Sequence, residues 1–265
     1  MKRSMIAVVS VAAVMLAAGA AQAAIVYQTG FEPTTYAIGN LGGQDGWVNN
    51  YGTDFTVQNA IVKSGSQAVN AATYDTGSAL HIDSRLLSSV PVVGATDIVT
   101  LSYDQYLPDA WFEWPDNGIR ALTVYLRAVN THNQLVLSTW NNENQGQRIG
   151  FGTDGIGTHQ MSVDLVRADL ADKWSNLRLV VNNGTGRAEA FLNGSSLGWV
   201  GFTAGDLSLS AYTKIDLCAS SGSSYGDPVN AYVDNLSLSI IPEPATLALL
   251  VAGGAAIVAS RRRRA

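Results

Sequence analysis

Residues 24–241 predict an all-β body, an antiparallel two-sheet sandwich, from three observations. Apolar residues recur at every second position in most segments, the period of a strand with one buried face. Turn-forming pairs such as Asn-Gly separate those segments. Asn, Ser, Thr and Gly are abundant while this stretch holds only four glutamates, which suits loops around short strands better than helices. About a dozen strands of this kind would pair antiparallel and pack face to face.

The chain opens with MKRSMIAVVSVAAVMLAAGAAQAA, in which Lys2 and Arg3 precede an apolar run from Met5 to Ala18. Ala21-Gln22-Ala23 then offers a small-x-small site for signal peptidase, so residues 1–23 read as a signal peptide. A permanent anchor is the rival reading; the short run and the cleavage site speak against it. No cysteine follows for lipid attachment.

Along the body, Val99, Leu101, Tyr103 and Leu107 share one side of DIVTLSYDQYL, with Thr100, Ser102 and Asp104 opposite. Leu122, Val124, Leu126 and Ala128 share a face, as do Leu177, Leu179 and Val181. Turns are expected at Asp116-Asn117-Gly118, Asn183-Gly184, Asn193-Gly194 and Gly226-Asp227-Pro228. VDLVRADLADKW also fits helical spacing and is expected to form no more than a turn or two of helix. In KIDLCASS, Cys218 shares a face with Asp216 and Ser220; as the only cysteine it can form no intramolecular disulfide, and it reads as an inert buried thiol.

Charge excludes one class of partner. Without the six terminal cations and Glu243 the body keeps ten basic and twenty acidic residues, a net charge near −10 that would repel nucleic acid. Three chemical-looking patterns lack their structural context. Gly150-Phe-Gly-Thr-Asp-Gly155 fits GxGxxG, but strand-like flanks make it a turn, not a dinucleotide loop. Gly194–Gly198 and Gly222–Gly226 fit GxSxG without the strand-to-helix elbow. His81, His132 and His159 are too scattered to propose a zinc site.

Two segments read as polar loops with aromatics. PDAWFEWPDNG sets Trp111, Phe112 and Trp114 beside Asp109, Glu113 and Asp116; STWNNENQGQR adds Trp140, Asn141, Asn142 and Arg148. Flat rings beside carboxylates and amides suit sugar stacking, so Trp111, Trp114 and Trp140 are candidate glycan contacts. The alternative is that these rings cap the ends of the sandwich and merely pack.

The chain ends IPEPATLALLVAGGAAIVASRRRRA. A fifteen-residue helix over 245–259 would span roughly 22 Å, against a hydrocarbon core of roughly 30 Å. It is short for a permanent span unless the bilayer thins, and Arg261, Arg262, Arg263 and Arg264 would stay cytoplasmic. Pro242, Glu243 and Pro244, this short apolar helix and the arginine cluster together resemble the PEP-CTERM sorting signals of Gram-negative bacteria. The resemblance covers residues 242–265 and implies an exosortase-like processing partner and transient residence in the inner membrane. Delivery to the cell surface or extracellular matrix would follow. A simple single-pass anchor is the alternative, and it leaves the Pro-Glu-Pro without a role.

The order of features in the body also resembles the concanavalin A-like (laminin G-like) jelly roll and similar carbohydrate-binding modules. Phe31-Glu32, Gly43-Gln-Asp-Gly-Trp47 and Ser64-Gly-Ser-Gln-Ala68 come first; KWSNLRLVVNNGTGRAEAFLNGSSLG and AYVDNLSLS follow. This resemblance implies a calcium shared by carboxylates near the first and last strands, at Glu32 and Asp234. The alternative is that each carboxylate accepts from nearby backbone donors. Glycan hydrolases of this jelly roll carry alternating Glu-x-Asp-x-Glu patterns, and no segment here has one. The sequence therefore reads as an exported, non-catalytic glycan-binding or matrix protein. A polysaccharide hydrolase or lyase of the same fold, or a surface protein without ligand, is the alternative.

Overall fold

Alternation at period two lets each strand bury one face, and two sheets of such strands enclose a single apolar layer. The computed structural model describes residues 23–51, 55–73, 80–87, 93–113, 119–128, 134–142, 146–154, 159–204, 212–221 and 229–241. The expected signal peptide, the apolar tail helix and the sorting residues Pro242, Glu243, Pro244 and Arg261–Arg264 lie outside the described residues. So do Trp114, Glu143, His132 and the turns at 116–118 and 226–228. Among the described residues no helix is long and apolar enough to cross a membrane.

The strands are β1 (Ala24–Thr29), β2 (Gly39–Asn40), β3 (Trp47–Tyr51), β4 (Phe55–Gln58), β5 (Ala68–Thr73) and β6 (Leu80–Leu86). The chain continues through β7 (Ile98–Tyr106), β8 (Ile119–Ala128), β9 (Gln134–Asn142), β10 (Gly146–Asp154) and β11 (His159–Leu165). It closes with β12 (Trp174–Asn182), β13 (Arg187–Leu192), β14 (Ser195–Gly201), β15 (Tyr212–Ser221) and β16 (Val229–Ile241). Among the described residues, one sheet orders as β14-β13-β12-β7-β16-β5-β4-β2, with β1 also on β16; the other as β11-β10-β9-β8-β15-β6-β3. They are called the nine-stranded and seven-stranded sheets. Among the described residues these strands pair antiparallel. The strands are more numerous than the dozen expected because short β2, β3 and β4 carry too few residues to show a period.

The residues expected inside are inside: Val99, Leu101, Tyr103, Leu122, Val124, Leu126, Leu177, Leu179 and Val181 are all buried in one cluster between the sheets. Two polar contacts tie the layers together. Thr139 Oγ1 donates to Gln105 Oε1 at 3.0 Å, and Tyr103 Oη donates to the Leu137 carbonyl at 3.2 Å. Asn193-Gly194 makes the β13–β14 hairpin with φ of 50° and 83°, positions open to Asn and Gly. The helical expectation is met by one turn, α1 (Arg167–Leu170).

Three local expectations change. Gly150 and Gly152 lie inside β10, so the stretch read as a turn is a strand up to Asp154. Trp140, Asn141 and Arg148, read as a loop, belong to the paired strands β9 and β10. PDAWFEW opens with a 3₁₀ turn, Asp109–Phe112, that buries Trp111 and Phe112.

Candidate functional site

The register of five strands builds the candidate site on the outward face of the seven-stranded sheet. Ser162 on β11 stands opposite Gly150 on β10, which stands opposite Ser138 on β9. Ser138 faces Thr123 on β8, and Thr123 faces Cys218 on β15. These small residues form one row across the strands, a trough floor of four inter-strand steps, roughly 19 Å, in which Ser162 is exposed, Gly150 half-buried and Ser138, Thr123 and Cys218 buried. Thr123 Oγ1 and Ser138 Oγ share a hydrogen bond of 2.6 Å within the floor. Burial first, and then the charge of Asp216, raises the Cys218 thiol above its ordinary range.

Larger side chains flank the floor. On one side are Trp140 and Arg148, directly paired; on the other are Tyr125 and Asp216, also paired. Trp140 is half-buried and leans over Gly150, where a Cβ would meet its six-membered ring at 3.6 Å. Arg148 pairs with Asp164 at 2.7 Å. Asp216 is fully buried and holds two cations, Arg127 Nε at 3.0 Å and Lys214 Nζ at 3.4 Å. Ser84 Oγ donates to Asp216, and the Arg127 guanidinium lies 4.5 Å from the Tyr125 ring centroid. Three cations and two carboxylates thus line this face, on a body with twice as many acids as bases.

Retaining glycoside hydrolysis needs two carboxyl groups about 5 Å apart and the inverting kind up to about 9.5 Å. Asp164 and Asp216 stand on strands four steps apart, roughly 19 Å or more. Among the described residues this face therefore holds no hydrolytic carboxylate pair.

Of the two described candidates for sugar contact, Trp111 and Trp140, Trp140 alone reaches the trough. Trp111 has no exposed surface; its ring packs edge-on to Phe112 at 5.1 Å, which leaves no face for a sugar. Its carbonyl accepts from Arg120 Nη1 at 3.1 Å and from Asn141 Nδ2 at 3.3 Å. Asp109 pairs instead with Arg167, whose guanidinium holds that carboxyl below the usual carboxylate range.

Glu32 and Asp234 both reach the space beside Gly30. A Cβ on Gly30 would stand 3.5 Å from Asn235 Oδ1, 3.6 Å from Glu32 Oε1 and 3.7 Å from Asp234 Oδ1. Three oxygens thus lie within 3.7 Å of one point that glycine leaves open. Each carboxylate also accepts backbone donors: Lys63 and Ser64 at 3.1 Å on Asp234, and Ser66 at 3.0 Å on Glu32. Burial chiefly, and the nearby Asp104 charge in addition, raises the Asp234 carboxyl above its ordinary range against the pull of those N–H groups. Among the described residues no three His, Cys, Asp or Glu side chains gather as a metal group, and none of Asp104, Asp234 and Glu32 pairs with a Lys or Arg. Two carboxylates and an amide oxygen fit calcium in kind, and backbone or water would complete its six to eight ligands.

Comparison with known proteins decides the tail. Residues 241–264 match the PEP-CTERM protein-sorting motif. PEP-CTERM signals are exosortase substrates, so the chain is an exported, membrane-transiting protein of a Gram-negative bacterium. No curated protein matches the chain in sequence. Solved structures place the body among jelly-roll-like sandwiches. The CBM2 module of Lactobacillus casei BL23 phage J-1 evolved Dit is 11% identical with a TM-score of 0.54, over 84% of this chain and 98% of that one. A carbohydrate esterase from Shiga toxin-encoding bacteriophage phi24B is 9% identical with a TM-score of 0.53, over 83% and 100%. The botulinum neurotoxin serotype D/C VPI 5993 binding domain is 9% identical with a TM-score of 0.53, over 81% of this chain but only 48% of that one. Likeness at such identity carries the fold alone.

The trough was beyond sequence reading because its floor is spread over residues 123–218 and exists only through register. The one local sign was Gly150 at an outward position of a strand, where no side chain of its own covers the backbone.

Proposed function

We propose that this PEP-CTERM protein is a non-catalytic glycan-binding module, exported behind a signal peptide, held by its apolar tail and released by an exosortase-like enzyme to the cell surface or extracellular matrix. Its trough takes a stretch of polysaccharide. The observation that carries this is the transverse row Ser162, Gly150, Ser138, Thr123 and Cys218, with Trp140 leaning over it. Small floor residues admit a chain, the indole offers an apolar face to a sugar ring, and flanking polar groups orient hydroxyls. Arg127, Arg148 and Lys214 favour a polysaccharide that carries carboxylates. Calcium, held by Glu32, Asp234 and Asn235, would join the start of the body to its last strand and neutralise Asp234.

The test is affinity electrophoresis of the full-length chain, kept soluble in a sugar-free detergent, through gels containing alginate, polygalacturonate or dextran. The acidic polysaccharides retard the wild type and the Trp140→Ala variant runs free. Equal mobility in all gels, or full retardation of Trp140→Ala, overturns the reading. Unsaturated sugars or new reducing ends released from those polymers would make the protein a lyase or hydrolase instead.

A further inference from the structure

The opposite face of the sandwich carries an aromatic cluster that the trough does not explain. Outward positions of a solvent-facing sheet are ordinarily polar. Here three neighbouring strands of the nine-stranded sheet present rings outward: Tyr232 from β16, Tyr106 from β7 and Trp174 from β12. Trp174 and Tyr106 are a direct cross-strand pair, with centroids 5.8 Å apart and planes inclined at 55°. Tyr106 and Tyr232 lie 5.9 Å apart at 70°. Trp174 and Tyr106 are half-buried, whereas Tyr232 is 9% exposed and closes the back. Their neighbours Ser175 and Val233 point into the core, so the rings point away from it.

From this we infer a second glycan site, a notch that takes one neutral pyranose ring. The inclined rings make an angled clasp rather than a flat platform, which fits a single sugar and not the face of a crystalline polymer. The groups beside it are a carboxylate acceptor, Asp172, and an amide, Asn230, whose N–H groups remain as donors. Tyr106 Oη donates to Asp172 Oδ1 at 3.5 Å, and Asn70 Nδ2 donates to Asn230 Oδ1 at 3.1 Å, which fixes that amide next to Tyr232. Sugar hydroxyls, which both donate and accept, suit this rim; the Asp172 carboxylate disfavours an acidic sugar, the reverse of the cation-lined trough. The notch and the trough face opposite ways across the sandwich. One molecule therefore bridges two glycan chains; this bridging role, though not the notch itself, rests on the trough being a glycan site.

The experiment is saturation-transfer NMR on the full-length chain in the same detergent, with methyl glucoside, galactoside and mannoside as probes. At least one neutral glycoside receives saturation on its ring C–H protons, and Trp174→Ala weakens its binding about tenfold. The comparison is made in the Trp140→Ala background, where the trough indole contributes no transfer, so failure of the trough and failure of the notch give different results. Absence of transfer to all three glycosides, or undiminished transfer in Trp174→Ala, overturns the inference. Should Trp174→Ala fail to fold by its melting curve, Asp172→Asn decides: weakening of about threefold supports the site, and an unchanged signal refutes it.

Discussion

Trp140 lies across Gly150 of the neighbouring strand, its six-membered ring 3.6 Å from the point where a Cβ would stand. That is ordinary van der Waals contact, so an alanine fits there with little strain. A leucine would carry its extra carbons into the trough floor. Gly150→Ala is expected to keep both fold and polysaccharide retardation. Gly150→Leu is expected to abolish retardation while the melting temperature stays within a few degrees, because the side chain points outward and not into the core. Gel mobility and thermal melting measured side by side check this.

Arg120 holds the 3₁₀ turn that buries Trp111. Its Nη1 donates to the carbonyls of Ala110, Trp111 and Glu113 at 2.9, 3.1 and 2.8 Å, and the residue is 8% exposed. Replacement by methionine keeps the apolar stem but leaves these carbonyls without a charged donor. Since hydrogen bonds to charged groups contribute about 1.5–3 kcal/mol each, Arg120→Met should cost about 3 kcal/mol or more. Urea unfolding with an unchanged slope measures it; a loss below about 1 kcal/mol would show that the turn stands without the arginine.

The contrast between these residues shows what the sequence made legible. The inward faces of β7, β8 and β12 were readable because burial repeats every second residue, and local period is all that a strand's orientation requires. Trp111 and Trp140 looked alike, each a tryptophan among polar neighbours. One is core and the other outward, because Arg120, which anchors the first, lies outside the loop that carries it. The jelly-roll resemblance singled out Glu32 and Asp234, yet Asn235 and the opening at Gly30 were invisible without the backbone. The notch of Tyr106, Trp174 and Tyr232 joins three strands whose adjacency no local pattern encodes.

Calcium gives a test that spares the fold. Gly30 needs no left-handed backbone, and a Cβ there would meet the three oxygens at 3.5–3.7 Å without clash. Gly30→Ala should therefore melt like wild type in chelator. Millimolar calcium is expected to raise the melting temperature of the wild type and not of Gly30→Ala, since ligation stabilises the folded state by mass action and the methyl fills the cradle. An equal rise in both proteins would place the ion elsewhere.

Cys218 offers a check on the trough floor. Burial and the neighbouring Asp216 charge keep its thiol protonated well beyond the ordinary range, and the thiolate is the reactive form. A disulfide exchange reagent at mildly alkaline pH is expected to leave the folded protein unlabelled and to label one thiol after denaturation. Rapid labelling of the folded form would show that the floor opens.

Asp234 sets the pH dependence of the calcium effect. Its folded-state carboxyl is raised above the unfolded value, by burial before all else. Without calcium, carrying the charge costs stability above the folded pKa, and that cost is relieved as pH falls through it. Calcium prefers the ionised carboxylate, so the ion must displace a proton once pH falls into that range. The calcium concentration that half-completes the melting shift should therefore climb on acidification from neutral pH, and at a higher pH than an ordinary aspartate would impose. A midpoint that stays constant until pH drops below the usual carboxylate range would remove Asp234 from the ligands, leaving its hydrogen bonds from the Lys63, Ser64 and Asn235 N–H groups as its whole role.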